Sequence, residues 1–330
     1  MMIIKALRRT ALLLSLAALL VGCNGEKPGS PVQAQTHTPG TVSQAPETSS
    51  TPIPYAPDTE EHTAIKKQAQ EEVQEQSVEK QKEIIAEAVT ALDETYKALE
   101  LLSQSKPKEA LAAVEKATGK LEIILAREPG LALAPVAVST RTHDLIADPN
   151  DVEKLVKESR ALLKEGRVQA ARKILAGLAS ETVISTTSIP LGTYPDALKL
   201  AARHIDDGKP DEAALVLSEA LSTQVVTDVL IPLPLARAGL ALVEAEMLAE
   251  KPKRTPKEEA YLIKHLDSAE KSARLAKALG YGTKADFKLF FSEVEELREK
   301  TGNGKSGQGF FDKIKKTLKS LGEQARWAEA

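Results

Sequence analysis

"HIDDGKPDEAALVLSEA", His204 to Ala220, writes a whole helical hairpin in one short stretch. A helix ends in polar residues, Gly208 stands where the chain must leave the right-handed path, and Pro210 opens the next helix, where its missing N–H is harmless. Small residues, Ala213 and Ala214, then let the two helices approach closely at the turn. "LLSQSKPKEALAAVEKA" (Leu101 to Ala117) and "LLKEGRVQAARKILAGLA" (Leu162 to Ala179) repeat this grammar. Tandem hairpins point to tetratricopeptide-like stacking, but the copies lack a fixed period of about 34 residues. The expected fold is therefore mainly α, a bundle of antiparallel helical hairpins and not a strict solenoid.

Working outward, prolines at first-turn positions mark six helix starts: Pro107, Pro149, Pro195, Pro210, Pro234 and Pro256. Thr255 with Glu258 forms a capping box, Thr283 with Asp286 resembles another, and Gly166, Gly208 and Gly280 stand at helix ends. Ile84, Ala88, Leu92, Tyr96 and Leu99 recur with helical period as an apolar stripe. Upstream, residues 61–83 are helix formers with sparse apolar positions and read as an exposed lead-in. Three stretches break the helical pattern: Leu131 to Asp144, Glu181 to Pro195 and Ser222 to Leu235. Rich in Val, Ile and Thr, they fit a small two- or three-stranded β element at one edge of the bundle; extended loops are the competing reading.

The amino terminus carries a different message. Lys5, Arg8 and Arg9 precede "ALLLSLAALLV", a run too short to cross a bilayer, so residues 1–22 read as a signal peptide. The run ends in Leu20-Val21-Gly22-Cys23, which resembles a bacterial lipobox, and Cys23 is the only cysteine. Acylated there, the chain would be held on the lipid bilayer by several acyl chains. An ordinary secretory leader or an uncleaved span are the alternatives. Asn24 resembles an outer-membrane sorting signal, so the expected location is the bacterial envelope, lipid-anchored and facing the periplasm. Residues 23–60, dense in Pro, Ser and Thr, cannot bury enough surface to order themselves and read as a tether. As a coil of roughly 40 to 50 residues it would span on the order of 40 Å.

With 44 basic and 47 acidic residues the net charge is -3, and aromatics are only 3%. No strong positive field and few stacking platforms are available, so no nucleic-acid partner is expected.

The stretches "KEALAAVEKATGKLEIILAREPGLALAPVAV", "AARKILAGLASETVISTTSIPLGTYPDALKLAARHIDDGKPDEAALVLSEAL", "IPLPLARAGLALVEAEMLA" and "SARLAKALGYG" resemble the YfdX family of bacterial envelope proteins. The likeness runs from Ile84 to Leu297 within a helical domain taken as residues 84–300, and Ala170 to Leu221 is its most specific part. It implies a mainly α-helical, extracytoplasmic protein, a homo-oligomer associated with stress tolerance, and it brings no catalytic residues to carry over. The chain departs from the common family pattern in its lipobox, its tether and a basic tail after Lys300.

"GNGKSGQG", Gly302 to Gly309, contains a formal G-x-G-x-x-G, yet a helical pattern precedes it and Glu299 occupies the first Walker glycine. A phosphate loop needs a strand there, so residues 301–309 read as a hinge. The histidines, His37, His62, His143, His204 and His265, are scattered and show no ligand spacing. His143 beside Asp144 and His204 near Asp206 and Asp207 are either pH-responsive groups or solvated turn residues. No catalytic motif is present, no cofactor is expected, and neither catalytic nor metal-binding residues are assigned. The favoured class is a non-catalytic binding or interaction module for an envelope protein or small molecule. The other class is a hydrolase or wall-modifying enzyme whose site is assembled from distant residues.

Residues 310–330 form a basic amphipathic helix. Phe310, Phe311, Ile314, Leu318 and Leu321 share one face, while Lys313, Lys315, Lys316 and Lys319 ring the other. Such a helix either lies in a lipid interface or packs on the domain or a second subunit.

Overall fold

A computed structural model describes residues 60–251, 253–302 and 309–326; the leader, Cys23, the tether before residue 60, residues 303–308 and the last four residues lie outside the described residues. In chain order the elements are α1 (Glu60–Lys82), α2 (Ala86–Ser103), α3 (Pro107–Arg127), β1 (Leu133–His143), α4 (Pro149–Lys164), α5 (Val168–Leu175), β2 (Glu181–Pro190), α6 (Tyr194–Asp206), α7 (Pro210–Ser222), β3 (Val225–Pro232), α8 (Leu233–Ala249), α9 (Pro256–Leu279), α10 (Lys284–Thr301) and α11 (Phe311–Arg326). Pro107, Pro149, Pro210 and Pro256 open their helices, and Pro195 and Pro234 take the second position of theirs. Both Thr255–Glu258 and Thr283–Asp286 form complete capping boxes.

The three hairpin turns are built alike. Lys106, Arg167 and Lys209 donate their amides to the carbonyls of Leu101, Leu162 and His204 at 2.9, 2.9 and 2.8 Å. One residue earlier, Ser105, Gly166 and Gly208 donate to Leu102, Leu163 and Ile205. These are paired Schellman bonds, and they require a left-handed residue in the middle. Its φ is 58°, 74° and 70° respectively, so Ser105 fills a place that glycine holds in the other two turns.

The pairs α2/α3 and α6/α7 enclose one core. Ala88, Ala91, Ala98, Ala110, Ala113 and Ala117 are buried where α2 meets α3, and Tyr194, Leu121, Leu198 and Leu217 fill the larger space. The buried stripe of α2 is Ala88, Ala91, Thr95, Ala98 and Leu102. It is rotated from the stripe expected on the larger residues: Leu92 and Leu99 are only partly buried and Tyr96 is half exposed. Alanine contacts bring the helix axes close, which leaves the bulkier chains at the flanks. Glu94 is buried on this helix, with the Lys116 ammonium at 2.6 Å and Lys97 at 3.3 Å. Hydrogen bonding to Lys116 above all holds its carboxyl below the usual range, against its burial.

The Val-, Ile- and Thr-rich stretches are strands, paired antiparallel in the order β1-β2-β3, with Thr186 opposite both Val138 and Thr227. Pro135 sits on an edge strand beside a register shift, where it lacks no needed N–H, and its carbonyl accepts from the Ile85 amide. On one face of the sheet lies α1. Among the described side chains of α1 the greater number are exposed, while Ile65, Ala69, Val73 and Ser77 recur every four residues as a buried stripe. Val73 packs with Ile184, Ile231 and Leu233, and the Ser77 and Thr140 hydroxyls share a hydrogen bond of 2.7 Å.

A second core joins α8, α9, α10 and α11, with Ile65 of α1 at its margin. All five phenylalanines of the chain lie in α10 or at the start of α11. Phe287, Phe290 and Phe311 are fully buried, and Phe291 packs against the first two rings at 6.2 and 5.8 Å. The α11 helix closes this core with Phe311, Ile314, Leu318 and Leu321. At Gly282, φ is 147° and a Cβ would stand 2.7 Å from Leu321 Cδ2, so only glycine allows α11 to seat against the α9–α10 turn.

Candidate functional site

The site begins with α8, whose sequence "LPLARAGLALVEAEMLA" is apolar apart from Arg237, Glu244 and Glu246. A helix of that kind needs cover over most of its surface. Its inner side has it, since Ala238, Ala241, Leu242 and Ala245 are fully buried. Its outer side faces a groove of about 530 Å³ bounded by α1, α8, α11 and the end of β3. Leu235, Ala236, Leu240 and Val243 come from α8, Val73 and Gln76 from α1, Ile231 and Pro232 from β3, and Lys315, Leu318, Lys319 and Glu323 from α11. Val243 remains 42% exposed, and Met247, one turn further along α8, 52%.

The ammonium groups at the groove are unequal. Lys315 Nζ donates to both carboxylate oxygens of Glu246 at 2.9 and 2.7 Å. Lys319 is 78% exposed and, among the described residues, its ion-pair partner is Glu323 on the same helix at 3.9 Å.

The residues singled out on the tail are thus distributed over two surfaces. Phe311, Ile314 and Leu321 are in the core, Leu318 is buried but also borders the groove, and Lys315 and Lys319 line it. Phe310 is 40% exposed, with the Lys300 ammonium 4.6 Å from its ring centre. In this conformation the apolar face of α11 is occupied by the domain itself.

Two polar constellations lie elsewhere. In the first, Arg237 of α8 reaches Asp144 with one nitrogen at 2.7 Å from each oxygen, and Ser180 Oγ donates to the same carboxylate at 3.2 Å. Beside it, the Tyr281 hydroxyl donates to Glu181 Oε2 at 2.6 Å and accepts from the Ser180 amide at 2.9 Å. Burial, reinforced by the hydrogen bond to Glu181, pushes the Tyr281 phenol well above its ordinary range, which fixes it as a neutral donor. These contacts tie α8 and the α9–α10 turn to the sheet.

The second is a cleft of about 450 Å³ between the start of α4 and α9, lined by Asp148, Glu153, Asp267, Glu270, Lys271 and Arg274 among others. Two of its carboxylates are paired on the α9 side: Asp267 lies 2.7 Å and Glu270 3.0 Å from Arg298 of α10, and Glu270 also binds Arg274 on its own helix. Burial raises the Glu270 carboxyl, but the two guanidinium groups outweigh it and hold the group below its usual value. A carboxylate so tied is a poor proton carrier near neutrality.

His143 ends β1 and is exposed, whereas His204 is half-buried in the last turn of α6 with Nδ1 lacking a hydrogen bond. His265 is buried on α9. Among the described residues no three His, Cys, Asp or Glu side chains gather as a metal site, and no helix is long and apolar enough to cross a membrane.

Comparison with known proteins follows this division of the molecule. Residues 91–230 match the family model described as YfdX protein, that is, the hairpins and the sheet up to Leu230. The stretches from Ile231 onward that resemble the family lie outside that match. A solved structure of Salmonella Typhi YfdX aligns at 16% identity over 46% of this chain and 93% of that chain, with a TM-score of 0.33. No curated protein matches the chain. Hairpins, sheet and family model thus coincide over the same residues, and it is residues 91–230 of the chain that carry the YfdX domain match.

Proposed function

We propose that this protein is a non-catalytic binding module of the bacterial envelope, anchored in lipid through acylated Cys23, facing the periplasm from the outer membrane, and working through the groove beside α8. The observation that carries the reading is the character of that groove: apolar walls with a few polar groups at the margin, the usual make-up of a binding site. In the cleft where carboxylates do converge, Asp267 and Glu270 are held in ion pairs. The YfdX family is not known as an enzyme family. Self-association and a role in stress tolerance belong to the same reading and follow from the family resemblance.

The test is complementation of a deletion strain under envelope stress with wild type, Cys23→Ala and Ala236→Phe, the last filling the groove. Wild type should restore survival; Cys23→Ala should leave the membrane fraction or accumulate as precursor, and Ala236→Phe should fail while folding normally. Full rescue by a folded Ala236→Phe protein would sink the groove as the working surface. A cleaved Cys23→Ala protein still in the membrane fraction would sink the anchor.

A further inference from the structure

The groove carries more than a general capacity to bind, and the identity of its ligand rests on its being the working surface. Its volume of about 530 Å³ falls within the roughly 300 to 1,000 Å³ of small-molecule sites. Along α8 its lining runs from Leu235 to Val243, about 12 Å at roughly 1.5 Å per residue. That length suits an alkyl chain better than a folded partner. Leu240 and Val243, left partly open on a predominantly apolar helix, are the surfaces such a chain would cover.

Charge decides the other end of the ligand. Two ammonium groups and one carboxylate line the groove, and Lys315 is already held by Glu246. Among the described residues Lys319 has a long 3.9 Å contact with Glu323, and it stands at the margin with most of its side chain in solvent. An anionic head could therefore pair with Lys319 without displacing a strong contact, and Gln76 on the opposite wall offers an amide donor. A cationic head would meet both lysines. We propose that the groove takes a free single-chain amphiphile with an anionic headgroup, the chain lying against Leu235, Leu240 and Leu318 and the head beside Lys319.

The experiment titrates the full chain with hexanoate, octanoate, decanoate and dodecanoate below their micellar concentrations, with decanol and decyltrimethylammonium as headgroup controls. Affinity should tighten by up to about fourfold per methylene, the equivalent of ~0.8 kcal/mol per buried CH₂, and then level off as the chain outgrows the groove. Lys319→Gln should weaken decanoate by about 1.5- to fivefold, the range of an exposed ion pair, and leave decanol unchanged. Ala236→Phe should abolish binding; should it unfold, Val243→Glu at an exposed position serves the same end.

Equal affinity for decanoate, decanol and decyltrimethylammonium would overturn the anionic assignment while leaving the groove a binding surface. Decanoate binding that survives in both groove variants would overturn the location as well. Absence of binding, with a dimer that Val243→Glu dissociates, would give the groove to a second copy of the chain and overturn the proposal outright.

Discussion

The two cores of this domain are held by different means. Between α2, α3, α6 and α7 the contacts are alanine to alanine, filled out by aliphatic chains and the single ring of Tyr194, and each helix packs first against its neighbour in sequence. In the second core alanines of α8 and α9 also meet, but the rings of Phe287, Phe290 and Phe311 are added, and the closing helix docks after a glycine-rich stretch onto α8 far behind it as well as onto α10. A core of many small contacts loses little at any one position. A core plugged by a few rings concentrates its stability in them, and α11 is the element whose loss should matter most.

Phe311→Ala tests this most severely. Removing a fully buried ring should lower stability by about 3 to 5 kcal/mol, measured as the shift in urea midpoint. Native-state hydrogen exchange should show α8 to α11 opening well below the global unfolding energy while α2, α3, α6 and α7 keep their protection. Equal loss of protection in both regions would break the comparison and make the domain one energetic unit.

The link between the regions is the second target. Arg237 and Asp144 have side chains 8% and 15% exposed, so removing either leaves a poorly solvated charge. Arg237→Leu should destabilise by about 3 kcal/mol, and adding Asp144→Leu should recover most of that in a double-mutant cycle. Additive effects would show that the pair does not bind the two regions together.

What the sequence disclosed divides along similar lines. Turns, caps and helix starts obey residues within one turn of each other, so Pro107, Gly208 and Thr255 could be read directly. The stripe expected on α2 is misplaced because hydrophobic weight favours Leu92 and Tyr96, whereas close packing selects Ala91, Thr95 and Ala98. Arg237 with Asp144 and Tyr281 with Glu181 are 93 and 100 residues apart, and no local pattern pairs them. The groove needs α1, α8 and α11 to converge. Its one legible trace was the predominantly apolar character of α8, which called for a cover without saying where one was missing.

Acid sharpens the comparison at smaller scale. Glu94 in the first region and Glu258, Glu270 and Glu296 in the second all have carboxyls held below their ordinary value of 4.5. Each contributes stability that is fully present above that value and is lost as pH falls through the folded one. Hydrogen bonding from Lys251 and the Thr255 cap bring Glu258 down to about 2, so the loss should run from about pH 4.5 to about pH 2. Glu258 is solvent-screened, whereas Glu94 is buried beside Lys116, so Glu94 should carry the larger share despite its smaller shift. Glu94→Gln should flatten the acid limb of a stability profile more than Glu258→Gln; the reverse order would show that screening does not govern these pairs.

The smallest expected effect lies within the first region, where nature has already varied one position across three turns. Ser105 sits at φ 58° with its amide bonded to Leu102, in the role that Gly166 and Gly208 fill. A non-glycine residue there bears about 1 to 2 kcal/mol of steric strain. Replacing it by glycine relieves the strain but gives the unfolded chain more freedom, which returns roughly 0.5 to 1 kcal/mol. Ser105→Gly should therefore stabilise by only about 0.5 kcal/mol. The mirror experiment has the opposite sign: a Cβ at Gly208 meets nothing within 4 Å, so Gly208→Ala should destabilise by about 1 kcal/mol through backbone conformation alone. Thermal midpoints that move together in the two variants, instead of apart, would show that the turns are not energetically equivalent and that the repeat is one of appearance.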